Sequence, residues 1–306
     1  MQENKGHRNP FLLAPSPVCA ILIFFGVLRF VPLGDGVGSY IIAAASVLIA
    51  FGMAIGLAVY FGSGKWLGRC FGAHKTGSFA ICLSAAVVMM VQSALFRSFV
   101  IGEQYDYRTF SLYGMSFETA TDSVGAFLWV FAVLAVLPAL AEGFFFRGFL
   151  MYEYRYGGVA LSVIMSSFLY AMTGMSLVDF PVYFINGILL SVTVFLTGNL
   201  FYSILSHLIY GLFALSVEKY FFFTAQETPV LSFLVMAALG LLALICFFGS
   251  AEKILRQRGE CEERMPVRLK KGRGLVVLID IFSAPMIWAD IICFAAICAI
   301  RIFLHA

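Results

Sequence analysis

The chain has 306 residues, of which 61% are hydrophobic and 12% charged, and its net charge is +3. A mean hydropathy of +0.95 excludes an ordinary soluble domain, in which about 25% of residues are charged. The small net charge argues against a nucleic-acid partner, and the seven scattered cysteines, with no CxxC pair, do not form a disulfide or zinc pattern.

The chain opens with MQENKGHRNPFLLAPSPVCAILIFFGVLRF, a basic start followed by an apolar run. Prolines crowd that run and no clear small-residue cleavage site follows, so it reads as a first membrane helix rather than a signal peptide. Apolar segments recur near 12–32, 39–61, 78–101, 123–152, 158–174, 180–197, 200–222, 230–250 and 283–304. All are expected to be helical, because lipid offers the backbone no hydrogen-bonding partner. GLVVLIDIFSAP, just before the last segment, can instead lie along the interface. The expected fold is an all-α polytopic transmembrane bundle of about 8–9 helices, with the bilayer as its surroundings. Its expected parts are 1–122, with about three helices and an extracytoplasmic loop; a core at 123–222; and 223–306, with C-terminal helices and a basic loop at 251–275.

Charge sets the expected orientation. GSGKWLGRCFGAHKTG carries Lys65, Arg69 and Lys75 and no acid, and 251–275 carries eight Lys/Arg against four Glu. GEQYDYRTFSLYGMSFETATDS has four acids and one arginine. A cytoplasmic N-terminus with nine crossings puts both basic loops inside, as the positive-inside rule asks.

A charge at mid-bilayer costs about 2.5–3.5 kcal/mol on insertion scales, so each needs a reason. Arg29, Asp35, Arg97, Glu153, Arg155, Glu218 and Lys219 fall near helix ends and are expected to snorkel to water. Asp280, Asp290 and Arg301 are expected at the interface. Glu142, Arg147, Asn186 and His207 remain deep. Counting from the turns at 156–158 and 197–199, Glu142, residue 174, Asn186 and His207 can share one interior layer. Asn186 reads as interhelical glue or a cavity-lining residue.

LPALAEGFFFRGFL, SSFLYAMTGMSLVDFPVYFINGILL and TGNLFYSILSHLIYGLF together resemble the core of the CAAX protease and bacteriocin-processing family, the intramembrane glutamic or type II CAAX endopeptidases. The resemblance spans about 123–222 and implies the family's motifs EExxxR, FxxxH and HxxxN. Those motifs imply a glutamate and histidines that activate water for peptide cleavage in or beside a membrane. Glu142, Arg147 and His207 fall on motif positions. Gly143 stands at the second glutamate, Gly174 at the second-motif histidine and Gly211 at the asparagine, while Tyr170 replaces the phenylalanine.

Glycine supplies no acid, base or side-chain donor. Without a glutamate at 143, Arg147 lacks its i, i+4 counter-charge, and Glu142 lies roughly 140° away around an ideal helix unless Pro138 kinks it. The expectation is a pseudoenzyme of a bacterial cytoplasmic membrane that binds a hydrophobic or lipidated peptide or a membrane protein, its cavity widened by the three glycines. Glu142, Arg147 and His207 form the remnant site, and Asn186, Tyr170, Thr173 and Ser206 are candidate lining residues. No HExxH and no second intramembrane histidine support a metal, and no cofactor is expected. The alternatives are an active divergent endopeptidase using Glu142 and His207, or a membrane subunit of a transport or regulatory complex. No repeat of two similar halves supports transport.

Overall fold

The structure, a computed structural model, describes residues 14–30, 37–61, 70, 78–101, 109–118, 124–260 and 279–305. The helices are α1 (Ser16–Leu28), α2 (Val37–Phe61), α3 (78–101), α4 (124–154), α5 (Val159–Met172), α6 (Phe180–Thr197), α7 (Leu200–Ser216), α8 (Glu218–Glu227), α9 (Pro229–Glu260) and α10 (Pro285–His305). A two-stranded antiparallel hairpin, β1 (Thr109–Leu112) and β2 (Met115–Glu118), stands between α3 and α4. The chain is an all-α integral membrane protein, with this small hairpin as the one β element among the described residues.

Each expected apolar segment carries a helix, but not every helix has the length of a span. Six are long and apolar enough to cross a bilayer, and α7 with α8, bent by 54° at their junction, makes a seventh. Helices α1 and α5 are shorter. Rows of large apolar side chains on α9, among them Val230, Leu234, Leu241, Ile245 and Phe248, are exposed, as a lipid-facing surface requires. The basic loop begins later than the sequence suggested, because α9 continues to Glu260. The rest of that loop, the loop at 62–77 apart from Cys70, the N-terminal 13 residues and Asp35 lie outside the described residues.

Helix α4 passes through the centre of the fold and is unusual in its backbone. Two π-helical stretches, Ala132–Val136 and Gly143–Leu150, flank the α-helical turns around Pro138. Proline removes one i→i−4 hydrogen bond and crowds the carbonyl four residues back. A widened i→i+5 turn accommodates both defects. Helices α5 and α6 approach closely through small residues. A Cβ on Gly187 would stand 3.0 Å from the Ser167 Cα, and Ser166 and Ser191 face each other with hydroxyls 3.3 Å apart, a common way for membrane helices to pack. Between α6 and α7 the sequence TGN closes the turn. Gly198 takes φ of 68°, and the Asn199 side chain accepts from the Phe201 N–H at 2.9 Å, which caps α7.

Two sequence expectations about charges are overturned. Arg97 and Glu218 do not snorkel to water. Glu218 is buried; it accepts from Arg97 Nη1 at 2.6 Å and from Ser93 Oγ at 2.8 Å. Arg97 Nε also lies 3.7 Å from Asp179 Oδ1. Tyr210 Oη donates to Ser93 Oγ at 3.0 Å, so α3, α7 and α8 are tied together at the bend between α7 and α8. The reason is geometric: the 54° bend turns the start of α8 back against the end of α3. Asp290 is likewise buried rather than interfacial, lying beside Cys19 and Cys293 between α10 and α1.

Removing one partner of a buried ion pair leaves the other charge uncompensated, at a cost of about 3–5 kcal/mol. Glu218→Gln or Arg97→Met alone is therefore expected to destabilise the protein by roughly that amount, while the double variant Arg97→Met/Glu218→Met recovers most of it. Thermal unfolding of the purified proteins in detergent checks the pair.

Candidate functional site

Glu142 ends the α-helical turns that follow Pro138, and Arg147 sits in the π-helical stretch that begins at Gly143. His207 faces them from the middle of α7. Its Nδ1 lies 3.7 Å from Glu142 Oε2, outside direct hydrogen-bonding distance. The i→i+5 turns bring residues five apart toward one face, which reduces the separation expected of an ideal helix. Arg147 thus lies within electrostatic reach of both Glu142 and His207. It makes no hydrogen bond, however: Nε, Nη1 and Nη2 are all buried without a partner among the described residues, as is Glu142 Oε2. The guanidinium packs over the Tyr170 ring, 4.0 Å from its centroid, a cation–π contact. Tyr170 also meets the His207 ring edge to face at 6.3 Å.

The remaining oxygen of Glu142 is held from an unexpected direction. Tyr113 Oη donates to Glu142 Oε1 at 2.6 Å. Tyr113 is at the tip of the hairpin, where Leu112 and Met115 pair and Tyr113 and Gly114 have φ of 50° and 80°. Two positive φ values in a two-residue loop define the turn type that matches strand twist. Leu112, Tyr113, Met115 and Phe117 are all buried. The Tyr113 ring stacks on Phe25 of α1 with centroids 4.4 Å apart and tilts against Phe51 of α2 at 5.7 Å. The tip therefore docks between α1, α2 and α4 as a cover over the carboxylate. Burial, with the Glu142 carboxylate next, pushes the Tyr113 phenol well above its ordinary pKa, so it serves as a neutral donor.

The three glycines do not widen a cavity, contrary to expectation, because neighbouring side chains fill the space. A Cβ on Gly143 would stand 2.8 Å from Ile204 Cγ1, one on Gly174 would stand 2.7 Å from the Tyr183 ring, and one on Gly211 would stand 2.8 Å from Ala135 Cβ. Tyr183 in turn packs edge to face on Tyr170 at 5.9 Å. The other candidate lining residues have hydrogen bonds elsewhere. Thr173 Oγ1 donates to the Tyr170 carbonyl at 2.7 Å, closing α5. Ser206 Oγ donates to the carbonyls of Cys82 and Tyr202 at 3.0 and 2.8 Å. Asn186 Oδ1 accepts from Gln92 Nε2 at 2.7 Å and joins α6 to α3.

Sequence reasoning missed Tyr113 and Tyr183. The signal for Tyr113 was the alternation in TFSL and MSFE around Tyr-Gly, which reads as a hairpin. For Tyr183 it was only the vacancy that Gly174 offers a large neighbour. Among the described residues no group of three or more His, Cys, Asp and Glu side chains could hold a metal. The site consists of one carboxylate, one imidazole and one guanidinium, enclosed by three tyrosines.

Tyr113→Phe leaves a buried carboxylate oxygen without its donor, and such losses cost about 1–3 kcal/mol. The variant is expected to lower the unfolding temperature in detergent and to increase proteolytic nicking in the hairpin at 109–118.

Comparison with known proteins follows the same geometry. Residues 124–213, from the start of α4 almost to the end of α7, match the family described as type II CAAX prenyl endopeptidase, Rce1-like. No curated protein and no solved structure matches the chain significantly. The matched segment, which is similar to the Rce1-like type II CAAX prenyl endopeptidases, contains Glu142, Arg147, Tyr170 and His207.

Proposed function

We propose that this protein is a catalytically impaired member of that family that binds a hydrophobic or lipidated peptide, or a membrane partner, without cleaving it. One observation carries the impairment. The three positions that would supply a second carboxylate, a second imidazole and an amide are glycines, and their space is filled by Ile204, Tyr183 and Ala135. General acid–base groups contribute about 10²- to 10⁴-fold each, so a site stripped of three partners loses nearly all turnover. Glu142, Arg147 and His207 are then remnants of a catalytic set, enclosed by Tyr113, Tyr170 and Tyr183. The charge asymmetry of the loops supports a cytoplasmic N-terminus, and a bacterial cytoplasmic membrane is the setting we assign.

A second reading has one observation in its favour. Glu142 Oε2 has no partner among the described residues and faces His207 Nδ1 at 3.7 Å, an arrangement in which a carboxylate and an imidazole can share a reacting water. On that reading the protein is a divergent endopeptidase.

Purified protein incubated with prenylated and membrane-spanning peptides distinguishes the two. The expected result is peptide retention in a pull-down with no cleavage above that of Glu142→Ala. Cleavage that disappears in Glu142→Ala overturns the impaired reading. A second prediction concerns repair of the site. Gly143→Glu forces its Cβ against Ile204 and is expected to cost about 1–3 kcal/mol by overpacking, with no gain of activity. Gly143→Glu/Ile204→Ala relieves that contact and is expected to recover the stability, as thermal unfolding would show.

A further inference from the structure

Arg147 is the one buried guanidinium in the membrane whose three nitrogens all lack a hydrogen-bonding partner among the described residues, and it is 3% exposed. Removing a charge from water without pairing it is among the most costly arrangements a fold can keep. The local sequence explains how it arises. Gly143, one turn earlier, supplies no carboxylate, and Ile204 fills the space beside it. Glu142 directs one oxygen to Tyr113 and the other toward His207. Tyr170 supports the guanidinium from one face but provides a ring, which leaves the in-plane N–H donors unspent. Those five donors form a planar fork that matches a carboxylate in bidentate fashion.

From this we infer that Arg147 is a recognition site for the carboxylate of the bound ligand, such as the free C-terminus of a hydrophobic peptide or the head of an acyl amino acid. The inference rests on the binding function proposed above and specifies its ligand: an apolar body carrying one carboxylate. The missing counter-charge at 143 is then replaced from outside the chain. The fold retains a cation whose donors are unspent because the ligand completes it. Tyr170 holds the guanidinium plane, so the fork is presented in a fixed orientation and little side-chain entropy is lost on binding.

The test uses the full chain in detergent micelles or nanodiscs and three probes: N-palmitoylglycine, N-palmitoylglycinamide and monohexadecyl phosphate. Binding is read by calorimetry or by displacement of a fluorescent acyl probe. A charge-assisted bidentate contact predicts that the carboxylate binds at least about tenfold more tightly than the amide, with the preference lost in Arg147→Gln and reduced in Arg147→Lys. Equal binding of carboxylate and amide overturns this inference while leaving the binding function standing. Preference for the phosphate overturns the assignment of carboxylate in favour of a lipid-headgroup chemistry. Failure of all three probes to bind overturns both readings.

A second readout separates recognition from a structural role. If Arg147 serves a ligand, Arg147→Met removes an unpaired buried charge and raises the unfolding temperature of the ligand-free protein. If Arg147 holds the fold together, the same substitution lowers it, and the inference fails. Should Arg147→Gln not fold, the comparison of carboxylate with amide on the wild-type chain still decides the matter.

Discussion

Hydrocarbon forms no hydrogen bonds, and most of this structure follows from that fact. Every polar group carried into the bilayer has to find its partner within the chain. The backbone meets the demand by being helical, and where Pro138 removes a donor it widens its turns. Side chains meet it by pairing across helices. Arg97 finds Glu218, Gln92 finds Asn186, and Ser206 reaches the Cys82 carbonyl. Each contact also fixes where one helix stands relative to another, so satisfying polar groups and setting the architecture are one process. Arg147 departs from this rule, since none of its three guanidinium nitrogens has a hydrogen-bonding partner among the described residues, and one oxygen of the neighbouring Glu142 departs from it too.

The positions of the helices were legible in the sequence because apolar runs and turn residues mark them without ambiguity. Pro138, Gly158 with its φ of 88° and the TGN at 197–199 each leave the geometric mark that their chemistry predicts. The facing of Glu142 and His207 was also legible, since counting residues from two turns places both in one layer, whereas Arg147 was linked to them only by the motif it shares with Glu142. Partners of charged residues were not. Arg97 and Glu218 are 121 residues apart in sequence, and either alone reads as a snorkelling side chain at a helix end. Only the bend between α7 and α8 brings them together, and no periodicity records a bend.

The glycines illustrate a related limit. A missing side chain reads in sequence as added space, but interiors are close-packed and space is taken up by whichever neighbour can reach it. Ile204, Tyr183 and Ala135 do so here. A glycine and the packing of its neighbours are thus coupled: with Tyr183 against Gly174, an imidazole does not fit there without moving the ring. Returning a single polar residue to such a site meets a steric obstacle before it meets a chemical one.

The cover over Glu142 comes from parts of the chain that the family match does not include. The match begins at residue 124, whereas Tyr113, Phe25 and Phe51 all precede it. The core supplies the carboxylate and the preceding segments decide how it is shielded. Tyr113 is well suited to that task, because its ring stacks on apolar neighbours while its hydroxyl reaches one of the two carboxylate oxygens. A phenol bonded to Glu142 also occupies a lone pair that a general base would use on water, so the hairpin that stabilises the buried carboxylate simultaneously restrains its chemistry. Any ligand that reaches Arg147 from the hairpin side has to move this tip. The energy it gains from the guanidinium is then opposed by the hydrogen bond and the aromatic stacking that it breaks. Affinity for such a ligand would then be set by the difference between those two terms.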